Sequence, residues 1–219
     1  MMLSVFFAEQ DSAMRQIFDF YTPECTSVLD VSFGGGKLSR RLPNVVGVDQ
    51  DSNTKADIIA NSTVLPLKDA TFQVGIFDPP YLYGRRRVEL KRKKETSWDS
   101  DVRTKQQTPE EFVQRVIGTA RELFRVLCSE GIAYVKVCDS RFNGHLIPNH
   151  ILCINAFIDA GFILHDIVVY IRTFTGMFSS AKSAQNAHGY FIIFRKPYID
   201  SGATAATSRR KQRVGVKRA

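Results

Sequence analysis

Short apolar runs alternate with helical patterns along most of the chain. The runs occupy 27–31, 44–49, 72–77 and 131–138, and glycine, proline or acidic residues lie at or near their ends, which is typical of buried parallel strands. From Thr108 onward, a capping hydroxyl, a proline and two acids precede apolar residues at helical spacing, so a helix is predicted there. Strands that alternate with helices predict an α/β fold.

The second half of the chain continues this pattern. A helix is predicted over 148–160, where a glycine ends it, and two β-rich runs follow at 162–172 and 189–195. The segment 37–42 is predicted to begin another helix. With a third strand before Ala60, we expect a mostly parallel seven-stranded sheet with helices on both faces and an antiparallel C-terminal strand, the last two strands pairing at the sheet edge.

The motif at the end of the run 72–77 is the most informative in the chain. It consists of Asp78, Pro79, Pro80 and Tyr81. Open α/β sheets bind ligands at the carboxyl ends of their strands, and prolines fix φ and donate no backbone hydrogen bond. The Asp78 carboxylate and the proline carbonyls are therefore presented as acceptors, while Tyr81 adds a flat face for stacking. The motif suits a planar ring with an exocyclic amino group; the alternative is a Pro-Pro turn with a capping acid.

A glycine loop lies upstream of this motif. Asp30 ends one predicted strand, the glycines Gly34, Gly35 and Gly36 follow, and Asp49 ends the next strand. Glycine lets the backbone approach a ligand closely, and an acid at the end of the second strand can accept bonds from ribose hydroxyls. The third glycine of a nicotinamide fingerprint is missing. Three glycines often make only a turn, but their order relative to the two strand-ending acids favours a nucleotide-like ligand.

Together these motifs resemble the class I S-adenosylmethionine-dependent amino-methyltransferases with a DPPY motif, in particular small bacterial and phage DNA (adenine-N6) methyltransferases. The resemblance runs from about Val28 to Lys196. It implies a Rossmann-like methyltransferase fold, S-adenosyl-L-methionine as cofactor, and a catalytic role for the four residues at 78–81. It also implies cofactor contacts from a set of positions spread over four loops, namely Asp30, Gly34, Gly36, Asp49, Asn61 and Asp78, with Asp51 as the substitute for Asp49.

Two positions depart from the pattern of the resembled family. Asn61 stands where the family often has aspartate, but an amide oxygen can still accept a bond from the adenine amino group of the cofactor. Ser32 stands where many relatives have phenylalanine, which affects one packing contact to the cofactor.

Positive charge is concentrated in two segments of a chain whose net charge is +8. Residues 201–219 carry six basic residues and no acid, and 85–94 holds seven basic residues against one acid. Such segments are typical of proteins that bind a polyanion, although a solvated loop or a solubilising tail has the same composition. Nucleic-acid contact is predicted for Arg85, Arg86, Arg87, Lys91, Arg92, Lys93 and Lys94.

A length of 219 residues predicts one domain. We expect residues 1–200 to form a single methyltransferase domain with 84–108 as a flexible basic loop, and 201–219 to form a disordered basic tail. Only 41 residues separate Gly36 from Asp78, so no large recognition domain lies between the two motifs. Sequence specificity is then expected to be weak, to come from the loop and the tail, or to be supplied by a partner.

The resemblance favours adenine N6 in DNA as the methylated position, because cytosine-N4 enzymes more often have serine at position 78. RNA base N-methyltransferases that act on guanine N2 or adenine N6 carry similar motifs and are the alternative. A non-catalytic nucleic-acid-binding subunit is a weaker alternative, since both motifs are present. Protein amide methylation is disfavoured because those relatives have asparagine in place of Asp78.

Other classes of protein are not indicated. No apolar stretch reaches the ~20 residues of a membrane helix, and the N-terminus lacks the charged start and apolar core of a secretory signal. The four cysteines have no metal-ligand spacing, so we predict no metal and a cytoplasmic protein with reduced thiols. Asp139 could line the target pocket, but a capping acid is the simpler interpretation, and His188 is interpreted as a structural turn residue.

Overall fold

The computed structural model describes residues 2–81, 83, 107–171 and 188–199 of the chain. Within these residues lie ten strands and three helices. The strands are β1 (Val5–Phe7), β2 (Val28–Asp30), β3 (Val45–Asp49), β4 (Ile58–Ile59), β5 (Phe72–Phe77), β6 (Leu127–Val137), β7 (Ser140–Phe142), β8 (His145–Ile147), β9 (Ile163–Ile171) and β10 (His188–Arg195). The helices are α1 (Gln10–Tyr21), α2 (Pro109–Val126) and α3 (Asn149–Asp159).

Eight of these strands form one sheet in the order β1-β9-β10-β6-β5-β2-β3-β4, while β7 and β8 form a separate hairpin. Neighbouring strands of the sheet are parallel, except that β10 runs antiparallel to both β9 and β6. The predicted α/β class, the mostly parallel sheet and the antiparallel C-terminal strand are therefore confirmed. The strand order reverses between β2 and β5, and such switch points are where open α/β sheets bind ligands.

Helices cover both faces of the sheet, as predicted. On one face, α1 buries Met14 and Phe18 against β5, β6, β9 and β10. On the other face, α2 and α3 bury Leu123 and Phe157 against the same central strands. Because alternate residues of a strand point to opposite faces, strands covered on both sides are apolar at nearly every position. This explains why the central strands were recognisable as continuous apolar runs.

The N-terminal segment adds two elements that were not predicted from the sequence. Strand β1 pairs in parallel with β9 and occupies the sheet edge, so the sheet has eight strands instead of seven. The β9–β10 pair therefore lies inside the edge strand rather than at the edge. Helix α1 follows, and its buried residues Ala13, Met14, Ile17 and Phe18 have helical spacing.

The helix predicted over 37–42 is wrong, because these residues form a series of turns. Pro43 disfavours a helical conformation at the residue before it, so fewer than two helical turns are available after the glycine loop. The Ser39 hydroxyl donates a hydrogen bond to Asp30 at 2.7 Å, and the backbone N–H of Leu42 donates to the Ser39 carbonyl at 2.8 Å. These bonds favour a compact loop over a helix.

The predicted start of α2 is confirmed: the Thr108 side chain and the Glu111 side chain each accept a bond from the other's backbone N–H. Most of the predicted flexible loop at 84–108 and all of the predicted disordered tail at 201–219 lie outside the described residues. Among the helices that the structure describes, none combines the length and apolar character needed to cross a membrane.

Candidate active site

The carboxyl ends of β2, β3 and β5 meet at one edge of the sheet. Asp30 is the last residue of β2, Asp49 is the last residue of β3, and Asp78 follows β5 directly. The parallel register aligns Asp30 with Gly47 of β3 on one side and with Ile76 of β5 on the other. The structure therefore brings the glycine loop, Asp49 and the motif at 78–81 to the same edge, at the switch point of the sheet.

The glycine loop has a conformation that favours glycine at two positions. Gly34 and Gly36 have φ of 51° and 66°, in the left-handed region that residues with a Cβ rarely adopt. The Phe33 ring packs directly on Gly36 and on Gly47 of β3: a Cβ added to them would lie 2.7 Å and 2.5 Å, respectively, from ring carbons. One aromatic ring thus holds the loop against β3, and it fits because both contact positions are glycine.

Asp49 also holds the glycine loop, from the end of β3. Its Oδ2 accepts a hydrogen bond from the Gly34 backbone N–H at 2.7 Å, and its Oδ1 accepts one from the Asp51 backbone N–H at 2.9 Å. Each carboxylate oxygen can accept a second bond, so the predicted contact with ribose hydroxyls is compatible with this structural role. Asp51, the alternative acid, accepts bonds from Asn53 instead.

Asp30 lies beneath the loop and is 1% exposed. Its carboxylate accepts bonds from the Ser39 hydroxyl at 2.7 Å and from the Ser32 backbone N–H at 3.0 Å. Burial raises the pKa of Asp30 to about 6, even though the bonds from Ser39 and Ser32 act in the opposite direction. Asp30 therefore holds the glycine loop in place through these hydrogen bonds. It would affect cofactor binding indirectly, through the conformation of the loop.

Ser32 connects the glycine loop to the motif at 78–81, a role that was missed from the sequence. Its Oγ accepts a hydrogen bond from the Asp78 backbone N–H at 2.6 Å and donates one to Asp30 at 3.3 Å. The two candidate binding segments are thereby linked through one hydroxyl group. The serine at a position where many relatives have phenylalanine was the sequence signal that could have revealed this link.

A buried ion pair lies at the start of the same motif. The Lys136 Nζ of β6 lies 3.0 Å from Oδ1 and 2.9 Å from Oδ2 of Asp78. The lysine side chain is 4% exposed and the aspartate side chain 23%. No role was predicted for Lys136, although a lysine within an apolar strand is itself a signal, because lysine is rarely buried without a partner.

Tyr81 is fixed by contacts with β6 and the residues that follow it. Its ring centroid lies 5.8 Å from the Lys136 Nζ. Burial raises the pKa of the Tyr81 hydroxyl, and nearby Asp78 and Cys138 raise it further. The Tyr81 backbone carbonyl accepts a hydrogen bond from the Ser140 hydroxyl. The aromatic face predicted to stack on a base is thus held by its backbone, its ring and its hydroxyl group.

The two prolines of the motif differ in exposure. Pro79 is buried, whereas Pro80 is exposed and its carbonyl accepts a bond from the Gln107 Nε2 at 2.6 Å. Gln107 is 7% exposed. Its Oε1 has no hydrogen-bond partner, and among the described residues it is the one buried side-chain oxygen or nitrogen of which this is true. The Pro80 carbonyl therefore already accepts one hydrogen bond within the protein, and the Pro79 carbonyl stays the acceptor predicted for a target amine.

A second polar cluster follows β6. Asp139 Oδ1 lies 2.7 Å from the His150 Nδ1 and accepts a bond from the His150 backbone N–H at 3.3 Å, so Asp139 caps the start of α3, in line with the simpler interpretation. The His150 ring stacks on Tyr190 with centroids 4.4 Å apart, and the His188 Nε2 lies 3.0 Å from the Tyr190 hydroxyl. A cavity of about 290 Å³ adjoins this cluster and is lined by Val169, Ile171, His188 and Tyr190.

Asn61 lies after β4, and its side chain is engaged in a turn. Its Oδ1 accepts bonds from the backbone N–H and the hydroxyl of Thr63, both at 3.0 Å. An amide oxygen has two lone pairs, so contact with the cofactor adenine through this atom would require the turn to open. The predicted role of Asn61 stays a prediction.

The predicted nucleic-acid-binding residues all lie outside the described residues. They are Arg85, Arg86, Arg87, Lys91, Arg92, Lys93 and Lys94, and their role stays a prediction. The described residues contain no group of three side chains that could hold a metal ion.

Comparison with known proteins gives one family match. Residues 72–216 match the profile of the N6/N4 DNA methylase family, which is about two thirds of the chain. The matched region begins at β5 and includes the motif at 78–81 and Lys136, whereas the glycine loop precedes it. No curated protein matches the chain in sequence.

Solved structures resemble the fold at low sequence identity. An S-adenosylmethionine-dependent methyltransferase from Methanosarcina mazei is 15% identical, covers 84% of this chain and 98% of its own, and has a TM-score of 0.51. A chain from the complex of the Haloferax volcanii Trm112 methyltransferase activator with the candidate methyltransferase is 12% identical, with coverage of 87% and 91% and a TM-score of 0.54. A candidate DNA modification methylase from Thermus thermophilus is 18% identical over 62% of this chain, with a TM-score of 0.42, and the match spans 50% of its length.

Proposed function

Because the chain belongs to the N6/N4 DNA methylase family, we propose that it transfers the methyl group of S-adenosylmethionine to an exocyclic amino nitrogen of a DNA base, namely adenine N6. The observation that carries this proposal is the position of Asp78. Its carboxylate lies at the switch point of the sheet, and its backbone is joined to the glycine loop through Ser32. A methyl donor on the loop and an amine on Asp78 would therefore be neighbours.

The predicted family, fold and cofactor are confirmed: the chain belongs to a DNA methylase family, and its fold is that of S-adenosylmethionine-dependent methyltransferases. The residues present fit this cofactor. Gly34 and Gly36 form a loop without side chains at the switch point, and Asp49 offers acceptors for ribose hydroxyls. When bound, S-adenosylmethionine supplies an electrophilic methyl group on a positively charged sulfur.

The motif at 78–81 would activate the target amine by orientation. An exocyclic amine is a poor nucleophile because its lone pair is delocalised into the ring. Hydrogen bonds from the amine to the Asp78 carboxylate and the Pro79 carbonyl favour a tetrahedral nitrogen, which returns the lone pair to it. The same acceptors stabilise the positive charge that develops on nitrogen, and correct placement supplies much of the rate.

The choice of base and nucleic acid rests on two further points. Adenine N6 is proposed over cytosine N4 because position 78 is aspartate, whereas cytosine-N4 enzymes more often have serine there. DNA is proposed over RNA because of the family match. In a duplex, the base would have to leave the helix, at a cost of a few kcal/mol, before it could stack on Tyr81.

Labelled-methyl transfer tests the proposal. The wild-type protein and Asp78→Ala are each offered unmethylated duplex DNA, single-stranded DNA and bulk RNA, and the products are digested to nucleosides and identified by mass spectrometry. Asp19→Ala is the control, since Asp19 is a half-exposed residue of α1 that pairs with Arg15. We expect N6-methyladenine from DNA with the wild type and the control, and none with Asp78→Ala, which should still bind the cofactor.

The other outcomes are equally informative. N4-methylcytosine in DNA would replace the proposed base and keep the reaction type. Label in RNA alone would contradict the DNA substrate and favour an RNA base methyltransferase. Cofactor binding without transfer to any nucleic acid would contradict the activity for this chain on its own.

A further inference from the structure

Lys136 is a buried charge that has no part in the proposed transfer chemistry. It lies in β6 between Val135 and Val137, which are completely buried, and it is itself 3% exposed. Removing an ammonium group from water is unfavourable, and apolar residues often replace a buried ion pair without loss of stability. A buried lysine at this position therefore points to a role beyond stability. Its partner is the carboxylate on which the proposed reaction depends.

Asp78 also has an acidic neighbour, Asp30 at the end of β2. Both residues bond to Ser32, Asp30 through its carboxylate and Asp78 through its backbone N–H. Two carboxylates in a buried site disfavour each other's charge, so that one of them tends to bind a proton. Burial raises the pKa of Asp30 to about 6, and the nearby Asp78 acts in the same direction. Lys136 approaches Asp78 from β6, on the opposite side of β5, and supplies the compensating positive charge.

We propose that Lys136 is a positioning residue of the transfer reaction, which compensates the negative charge of the Asp78 carboxylate and orients it so that both oxygens can accept hydrogen bonds. The inference rests on the proposed function, in which Asp78 receives the target amine. The Lys136 ammonium lies 3.0 Å from one carboxylate oxygen and 2.9 Å from the other, so it bridges both oxygens of Asp78. Each oxygen has a second acceptor site, so the ion pair leaves one site per oxygen for the amine.

A protonated Asp78 could not do this. A neutral carboxylic acid carries an O–H donor, which would present a hydrogen to the amine and compete for its lone pair. Within the described residues, the titratable groups shown to interact with Asp78 are Asp30, Tyr81 and Lys136, and of these Lys136 carries the positive charge.

A double-mutant cycle tests the pairing. Lys136→Met removes the charge at similar length, Asp78→Asn keeps an acceptor oxygen without charge, and the third variant combines both. Lys196→Met is the matched control, because Lys196 is also buried, at 6% exposure, but donates to the carbonyls of Phe124 and Leu127 at the opposite end of β6. The measurements are kcat, KM for the cofactor, and the thermal midpoint.

The pairing predicts coupled effects. Lys136→Met is expected to lower kcat by about 100-fold while KM for the cofactor changes less than about threefold, since an electrostatic element of the reacting site is lost. Lys196→Met should change kcat less than about threefold and lower the thermal midpoint. In the combined variant two neutral groups face each other. Its midpoint should therefore exceed that of both single variants, and its kcat should not fall below that of Asp78→Asn.

Rescue by a conservative variant separates positioning from a merely structural role. Lys136→Arg keeps a positive charge opposite the Asp78 carboxylate and should retain kcat within about tenfold of the wild type. Lys136→Met keeps the length of the side chain without the charge and should not be rescued in this way.

Two results would overturn the inference: a kcat of Lys136→Met equal to that of the wild type, or additive effects on the thermal midpoint in the cycle. The midpoints require no substrate and separate this inference from the proposed function. Coupled midpoints without transfer by the wild type would count against the proposed function and support the charge pairing. Additive midpoints would overturn the pairing whatever nucleic acid is methylated.

Discussion

Replacing Asp11 by asparagine tests how the N-terminal helix is attached to the cofactor loop. Asp11 lies in α1 and is 2% exposed. It accepts bonds from the Nε atoms of Arg40 and Arg41, both at 2.7 Å, and from the Ser12 backbone N–H at 2.9 Å. Because both arginines follow the glycine loop, this cluster joins α1 to the segment that contains the loop.

The magnitude follows from the shift in the pKa of Asp11. Burial alone would raise this pKa, but the bonds from Arg41 and Arg40 lower it from 3.8 to about 2. That difference corresponds to roughly 2 kcal/mol of stability at neutral pH. Both arginine side chains are 56% exposed, so solvent screening reduces the effect, and we expect about 1–2 kcal/mol.

The pH dependence has a definite sign. Because the folded-state pKa is depressed, the stabilisation is fully present above the unfolded pKa of 3.8 and is lost as the pH falls through the folded pKa of about 2. About half of it should remain at pH 3. Urea unfolding of the wild type and Asp11→Asn measures this directly: the difference in free energy of unfolding should be about 1–2 kcal/mol at pH 7 and should decrease below about pH 4.

Asp19→Asn provides the control on the same helix. Asp19 is 49% exposed and pairs with Arg15, which is 44% exposed, one turn away. Such a surface pair is expected to contribute less than about 0.5 kcal/mol. Equal losses for Asp11→Asn and Asp19→Asn, or a loss for Asp11→Asn that does not change between pH 7 and pH 3, would contradict a stabilising role for the buried contacts of Asp11 with the two arginines.

Three further substitutions test the candidate site. Ser32→Ala removes the bond to the Asp78 backbone and should lower kcat about 10- to 100-fold at saturating cofactor, with little change in the free energy of unfolding; wild-type kcat would contradict the link. Asp49→Ala should weaken cofactor binding at least about tenfold in a calorimetric titration, because acceptors for the ribose and a bond to the loop are lost. Gly47→Ala places a Cβ 2.5 Å from the Phe33 ring and should cost about 1–3 kcal/mol in urea unfolding. A second change, Phe33→Leu, should recover part of that loss, and no recovery would mean that the ring is not the cause.

The fold class and the two motifs could be predicted because each depends on a short stretch of chain. The start of α2 was recognisable because Thr108 and Glu111 cap each other within four residues. Helix α1 has an equally local signal in the spacing of its buried residues, and it was overlooked. Strand β1 has only three residues, and its structure depends on pairing with β9 near the other end of the chain, which local pattern cannot indicate.

The hydrogen bonds and the ion pair of the site could not be predicted because they join residues that are far apart in sequence. Ser32 and Asp78 are 46 positions apart, and Lys136 and Asp78 are 58 positions apart. Which of these side chains meet depends on the strand order and on the register of each strand pair. A shift of one residue in β6 would turn Lys136 to the other face of the sheet.

The register of β6 is therefore part of the candidate site. Phe77 of β5 pairs with Val135 of β6, so the next position on each strand brings Asp78 level with Lys136. Val135 and Val137 pack in the core beneath α2 and α3, where a lysine would be surrounded by apolar side chains. Position 136 points to the other face of the sheet. There it lies level with Asp78, the residue that follows β5. The register of β6 thus places Lys136 beside Asp78, and the same geometry that buries the charge of the lysine also pairs it with the carboxylate.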